Sequence, residues 1–106
     1  MVNAFRGDVM LVLDGEAQVL RLTLGALAKL EARLEDGSML ALVERFEKAE
    51  FAASDIIELL LAGLQGGGWI GDRDSLLAAS IEGGPIGAAQ VAARLLAVTF
   101  SMPDSP

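Results

Sequence analysis

The chain has 106 residues, of which 53% are hydrophobic, and these values favour one domain with enough apolar material for a single core. It contains no cysteine and no histidine, which excludes disulfides and thiol chemistry and removes the commonest ligands of transition metals. The formal charge of −7 comes from 15 acidic and 8 basic residues, and the basic residues are scattered along the chain. We therefore expect no nucleic acid partner, because phosphate binding requires clustered positive charge.

The sequence also indicates a cellular setting. Residues 1–8 lack the charged and then apolar pattern of a signal peptide. The two longest apolar runs are interrupted by Glu58 and Arg94 and are shorter than the roughly 20 residues that a membrane span needs. We expect a soluble protein of the reducing cytoplasm, with no membrane partner.

The first predicted element is a β-hairpin within residues 8–22. Two apolar runs flank Asp14-Gly15, a dipeptide that tolerates the positive φ values of a two-residue hairpin turn. The first strand is apolar on both faces. We expect one face to pack against the helices, and the other face to be either covered or available to a partner. A hairpin alone is marginally stable in water, which makes helix packing on it necessary.

Two amphipathic helices should follow, capped by Thr23 and Ser38. The first carries an apolar stripe that ends before Asp36-Gly37, made of Leu24, Leu27, Leu30 and Leu34. Glu31 projects onto this apolar side. It is interpreted as a partly buried carboxylate paired with an arginine such as Arg21, in preference to a general acid or base without a catalytic partner.

A third helix, capped by Ser54, has the widest apolar face and is predicted to be central. The residues after it, 66–71, match G-x-G-x-x-G literally, but a dinucleotide site needs these glycines after a strand. Here they follow a helix, so they are interpreted as its termination. The loop also carries Trp69, which is interpreted as a cover over one end of the core in preference to a contact for another chain.

Two further helices complete the prediction. Asp72 and Asp74 are interpreted as caps of a short fourth helix in preference to magnesium ligands. Gly83-Gly84-Pro85 separates it from a last helix at about residues 86–100. That helix has one stripe suited to close helix packing, made of Ile86, Ala89, Ala93, Leu96 and Phe100. Val91, Leu95 and Val98 form a second stripe, to be covered either by the hairpin or by another protein.

These elements predict an α+β fold in which an N-terminal β-hairpin packs on about five short helices. The domain is expected to span residues 1–106, with the hairpin at 8–22, the helical part at 23–100 and a mobile C-terminal segment at 101–106. Catalytic, cofactor and metal residues are not expected. A set of apolar residues is the candidate partner-binding surface: Trp69, Ile70, Val91, Leu95 and Val98.

The order of several short segments adds a resemblance. Arg6-Gly7-Asp8, Leu13-Asp14-Gly15, Arg45-Phe46, Ser54-Asp55 and Ala62-Gly63-Leu64 surround a more specific stretch at Leu22–Glu31, Leu-Thr-Leu-Gly-Ala-Leu-Ala-Lys-Leu-Glu. Over nearly its whole length the chain resembles small proteins of gene transfer agent and related phage tail clusters, which look like tail assembly chaperones. It departs from the family at Lys29, where an acidic residue is frequent.

The resemblance implies a non-enzymatic helper in a bacterial host, encoded between the tail tube and tape measure proteins. Its implied partners are the tape measure protein, whose long apolar helices it would coat, the tail tube protein and other copies of itself. The alternative is a structural component retained in the tail of the finished particle. A small enzyme is the third hypothesis, for which only Glu31, Asp72 and Asp74 offer candidate groups.

Overall fold

The computed structural model of the protein describes residues 8–34 and 37–100. An antiparallel hairpin is followed by five helices: β1 (Asp8–Leu13), β2 (Glu16–Arg21), α1 (Leu24–Arg33), α2 (Met39–Glu47), α3 (Ala53–Gly66), α4 (Arg73–Ala78) and α5 (Gly84–Phe100). The predicted α+β architecture of a hairpin packed on about five short helices is confirmed. The predicted mobile segment, residues 101–106, and the predicted helix end at Asp36 lie outside the described residues. None of the described helices is long and apolar enough to cross a membrane.

The hairpin turns where the sequence predicts it. Asp14 and Gly15 have φ values of 53° and 82°, as a two-residue turn between twisted strands requires. The strands pair so that Val9 lies opposite Leu20 and Met10 opposite Val19. One face of β1 is buried, whereas Met10 on the other face is 48% exposed. Val12 and Val19 on this second face are half-buried, so among the described residues the face is partly covered.

Helix α3 is the central helix, as predicted. It contacts β2, α1, α4 and α5, while α5 also packs on β1. Every residue from Glu58 to Leu64 is buried, and Leu59 and Leu64 are completely inaccessible. The core consequently lies between the hairpin and the α3–α5 pair, with α1 covering the remaining side of α3.

The C-terminal end of α3 approaches β2 very closely. A Cβ atom at Gly66 would lie 2.0 Å from the carbonyl oxygen of Arg21, and one at Gly67 would lie 2.0 Å from that of Val19. No side chain fits in either place. The glycines predicted only to end the helix thus also let its backbone reach the outer edge of β2.

The outer edge of β1 is covered near the turn. Asp14 N–H donates to Ser80 O at 2.8 Å, and Glu82 N–H donates to Val12 O at 3.1 Å. Ser80 N–H in turn donates to the Asp14 carboxylate at 2.8 Å. These bonds fix the segment between α4 and α5 against the hairpin and set where α5 begins.

Three of the predicted helix caps are confirmed. The side chains of Thr23, Ser38 and Asp72 accept hydrogen bonds from the backbone N–H groups of the first turns of α1, α2 and α4. The cap predicted at Ser54 is wrong. Helix α3 begins at Ala53 and its N-cap residue is Ala52, two residues before Ser54. The Asp55 carboxylate accepts a hydrogen bond from the Ala52 N–H at 2.8 Å.

The predicted orientation of α1 is partly wrong. Leu30 and Ala26 are buried against α3, but Leu24 is 86% exposed. Glu31 lies two turns after Leu24 in α1 and is exposed, so it is not the partly buried carboxylate that the sequence predicted. Ala26 lies beside Gly66 of α3, where an added Cβ would be 3.2 Å from that of Ala26, so α1 and α3 approach closely on this side.

Candidate functional site

Helix α5 has a buried and an exposed apolar face. Leu95 and Ala92 are completely buried and lie on the side that packs against α3 and β1. On the opposite side Ile86 is 73% and Phe100 42% exposed, and Ala93 and Ala97 are exposed between them. A helix with this composition has a second surface available for contact.

Helix α2 is held beside α5 by contacts made with its other faces. Leu42 is completely buried. Arg45 donates two hydrogen bonds to the Asp55 carboxylate, from Nε at 3.0 Å and from Nη2 at 2.9 Å. The Asp55 residue is only 7% exposed, so this two-point ion pair is well shielded and fixes α2 to the start of α3.

Phe46 is fixed by an aromatic contact. Its ring stacks on that of Phe51 with centroids 4.4 Å apart and an interplanar angle of 12°. Although α2 and α5 run near each other, the described residues show no extensive direct packing between them. An open groove of about 310 Å³ separates the two helices, and we call it the α2–α5 groove. Its lining residues are Val43, Phe46, Glu47, Ala93, Leu96, Ala97 and Phe100.

The groove is apolar at its floor and asymmetric in charge at its rim. Glu47 is the one charged residue among those that line it, and Glu44 is exposed one turn earlier on the same helix. The other wall is formed by α5. The single charged residue of this helix is Arg94, which is exposed and does not line the groove. The α2 side therefore carries the two carboxylates of Glu44 and Glu47, with Lys48 exposed beside Glu47 at the end of the helix, and the outer side of α5 carries the positive charge of Arg94.

The structure separates the residues predicted to bind a partner. Leu95 is 0% exposed and packs directly against Gly63 of α3, where a Cβ atom would lie 2.6 Å from the Leu95 side chain. Leu95 therefore belongs to the core and offers no contact surface. Val91 and Val98 are half-buried and pack against the same core. The stripe that these three residues form therefore faces the core that α5 shares with α3 and β1. The stripe predicted for close helix packing instead provides most of the groove wall.

Trp69 and Ile70, although adjacent in sequence, have different surroundings. Trp69 is half-buried against the core, and its ring occupies the space beside Gly71, where a Cβ atom would lie 2.3 Å from it. This position fits a cover over the core end. Ile70 is 96% exposed. The loop lies outside the set of residues that line the α2–α5 groove.

The carboxylates considered for catalysis do not converge. Asp72 caps α4, and the backbone N–H and hydroxyl of Ser75 lower the pKa of its carboxyl below the ordinary value of 3.8. The most buried glutamate, Glu58, forms an ion pair with Arg73. Within residues 8–34 and 37–100 no three acidic side chains are grouped as metal ligands.

Sequence reasoning missed the groove because helical periodicity gives the apolar faces of α5 but not which of them meets the core. The ion pair between Arg45 and Asp55 was missed for a similar reason. Arg45 lies in α2 and Asp55 in the first turn of α3, so the periodicity of neither helix shows that the two side chains meet. Both errors concern how one helix sits against another.

Together the fold and the groove define a small α+β protein with a surface suited to binding another chain. The chain belongs to a phage tail family, because the family model described as "Phage tail tube protein, GTA-gp10" matches residues 6–102. Comparison with curated proteins and with solved structures gives no match. The family confirms the relation to phage and gene transfer agent tails, while its description names a tail tube protein and not an assembly chaperone.

Proposed function

We propose that this protein is a non-enzymatic tail assembly chaperone, which binds the tape measure protein in the bacterial cytoplasm while the tail is assembled. The observation that carries the proposal is the α2–α5 groove. Its wall on α5 is apolar and open, with Phe100 42% exposed, and it offers a surface on which the apolar face of another helix can pack. A helix laid in such a groove would be shielded from water and from other apolar helices.

The charge of the chain supports the same role. A formal charge of −7 on 106 residues keeps a complex soluble even when its partner is strongly apolar. The groove is also modest in size, at about 310 Å³. A contact of limited size suits a partner that must later be released.

A structural role in the tail is the second candidate, and the family description favours it. If copies joined by extending their sheets, each copy would need a free strand edge. The β2 edge faces the backbone of Gly66 and Gly67, and the β1 edge is occupied near the turn by Ser80 and Glu82. These covered edges favour the chaperone over a subunit that extends a continuous sheet.

The test is co-expression with the tape measure protein encoded beside it, followed by affinity pull-down and size-exclusion chromatography with light scattering. The wild-type chain should keep the tape measure protein soluble and elute with it. Ala97→Gln places a longer polar side chain on the exposed groove wall and should weaken the complex by on the order of tenfold.

Ala28→Gln is the matched control, because Ala28 is an exposed alanine of α1 outside the groove, and this variant should bind like the wild type. Leu95→Asp is unsuitable, since it would put a charge in the core. Circular dichroism checks that each variant is folded. Aggregation of the tape measure protein in the presence of folded wild-type chain would refute the proposal.

A further inference from the structure

We infer that the α2–α5 groove receives an amphipathic helix whose flank along α2 is basic. This inference rests on the proposed function and specifies which segments of the tape measure protein would be bound. The two observations behind it are the apolar floor of the groove and the unequal charge of its two rims.

The floor of the groove is lined by apolar side chains. Leu96 is 4% exposed, and Phe46 is held in place by its stack on Phe51. The alanines at 93 and 97 leave the space between the helices empty, while Phe100 closes one end of that wall. An incoming helix would therefore place residues at i, i+3, i+4 and i+7 against this floor.

The charged residues at the rim determine which flank of a bound helix can be basic. Glu47 lines the groove, Glu44 is exposed on the preceding turn, and no ion pair neutralises either of them within the described residues. Lysine or arginine side chains on the α2 flank of a bound helix would lie beside these carboxylates. Arg94 on the outer side of α5 would disfavour a basic flank there. The groove thereby selects the orientation of the helix as well as its charge.

The test uses two synthetic helical peptides with the same apolar face, one with a lysine and arginine flank and one with a glutamate flank, measured against the full chain by fluorescence anisotropy. The basic peptide should bind at least about tenfold more tightly at low salt. The difference in affinity between the two peptides should become smaller as the salt concentration is raised. The rim charges are exposed, and salt screens exposed charges over roughly 8 Å at physiological ionic strength.

Two double variants test whether Glu44 and Glu47 cause the preference for the basic peptide. Glu44→Lys combined with Glu47→Lys should reverse the preference between the peptides. Glu16→Lys combined with Glu31→Lys changes the net charge equally at exposed positions outside the groove and should preserve the preference. Retention of the preference in the first variant, equal binding of both peptides, or binding of neither would overturn the inference.

Light scattering of the chain alone provides a further check. A dimer that Ala97→Gln dissociates would show that a second copy occupies the groove, which would also overturn the inference. The pull-down with the tape measure protein is independent of these results. If that complex forms while the peptide preference fails, the proposed function stands and only the basic flank is rejected.

Discussion

At the scale of single residues, the contact between α3 and β2 depends on Gly67. Its φ of −87° is open to any residue, so alanine would be strained only by the 2.0 Å approach of its Cβ to the carbonyl oxygen of Val19. That obstacle is backbone and cannot rotate away. We predict that Gly67→Ala lowers the free energy of unfolding by about 3 kcal/mol, measured by urea denaturation.

A matched glycine-to-alanine change inside a helix should change the free energy of unfolding in the opposite direction. At Gly25, in α1, the nearest atom to an added Cβ is 3.9 Å away, so Gly25→Ala should stabilise the fold by about 0.5 kcal/mol. Equal stability of the Gly67→Ala variant and the wild type would mean that α3 and β2 are not this close in solution.

Residue-level signals in the sequence were accurate where the cause was local. The turn at Asp14-Gly15 and the caps at Thr23 and Ser38 depend on a few adjacent residues, and all three were predictable. The role of Gly67 was not, because its obstacle comes from a strand about fifty residues away in the chain. A glycine that ends a helix and a glycine that touches a strand look the same in sequence.

At the scale of elements, the cap of α4 predicts a pH dependence. The Asp72 carboxylate accepts hydrogen bonds from the backbone N–H of Ser75 at 2.9 Å and from its hydroxyl at 2.8 Å, which lower its pKa in the folded state. Because the carboxyl has a lower pKa in the folded than in the unfolded state, it stabilises the fold, and this contribution is complete at pH values above the unfolded pKa of 3.8. The contribution is lost as the pH falls through the folded-state pKa, because the unfolded chain takes up the proton first.

Asp72→Asn isolates this effect, since asparagine also caps helices but does not titrate. The difference in unfolding free energy between wild type and Asp72→Asn should be constant near neutral pH and should change in favour of the variant below the ordinary aspartate pKa. Urea titrations at several pH values measure it. A difference that stays flat down to the acid transition would contradict the proposed cap energetics.

The orientation of elements was the least predictable property. For α5 the sequence correctly gave two apolar stripes, but it placed Leu95 in the candidate partner surface while leaving the hairpin as the alternative, and it assigned Ala93 to close helix packing. In the structure Leu95 is buried and Ala93 is exposed. Gly63 favours the observed rotation of α5, because the absence of a side chain at Gly63 leaves space in α3 for the Leu95 side chain. That selection involves the packing of two helices and leaves no periodic signal in either one.

At the scale of the whole molecule, composition and order were informative about fold and family. The hairpin followed by helices, the central α3 and the relation to phage tails were all predicted. The groove was not, because it exists only where α2, fixed by the Arg45–Asp55 pair, stands apart from α5. The proposed binding role rests on this groove and on the formal charge of −7, which would help to keep a complex with an apolar partner in solution.

The last prediction concerns the finished particle. A chaperone must leave when tube subunits surround the tape measure protein, since the same apolar helix cannot be covered by both. Mass spectrometry of purified particles should therefore detect tape measure and tube proteins while this chain is absent or far below stoichiometric amounts. The unassembled cell fraction provides the positive control, in which the chain should accompany the tape measure protein. A fixed, stoichiometric copy number in purified particles would instead identify a structural tail component, and the α2–α5 groove would then be a contact between parts of the tail.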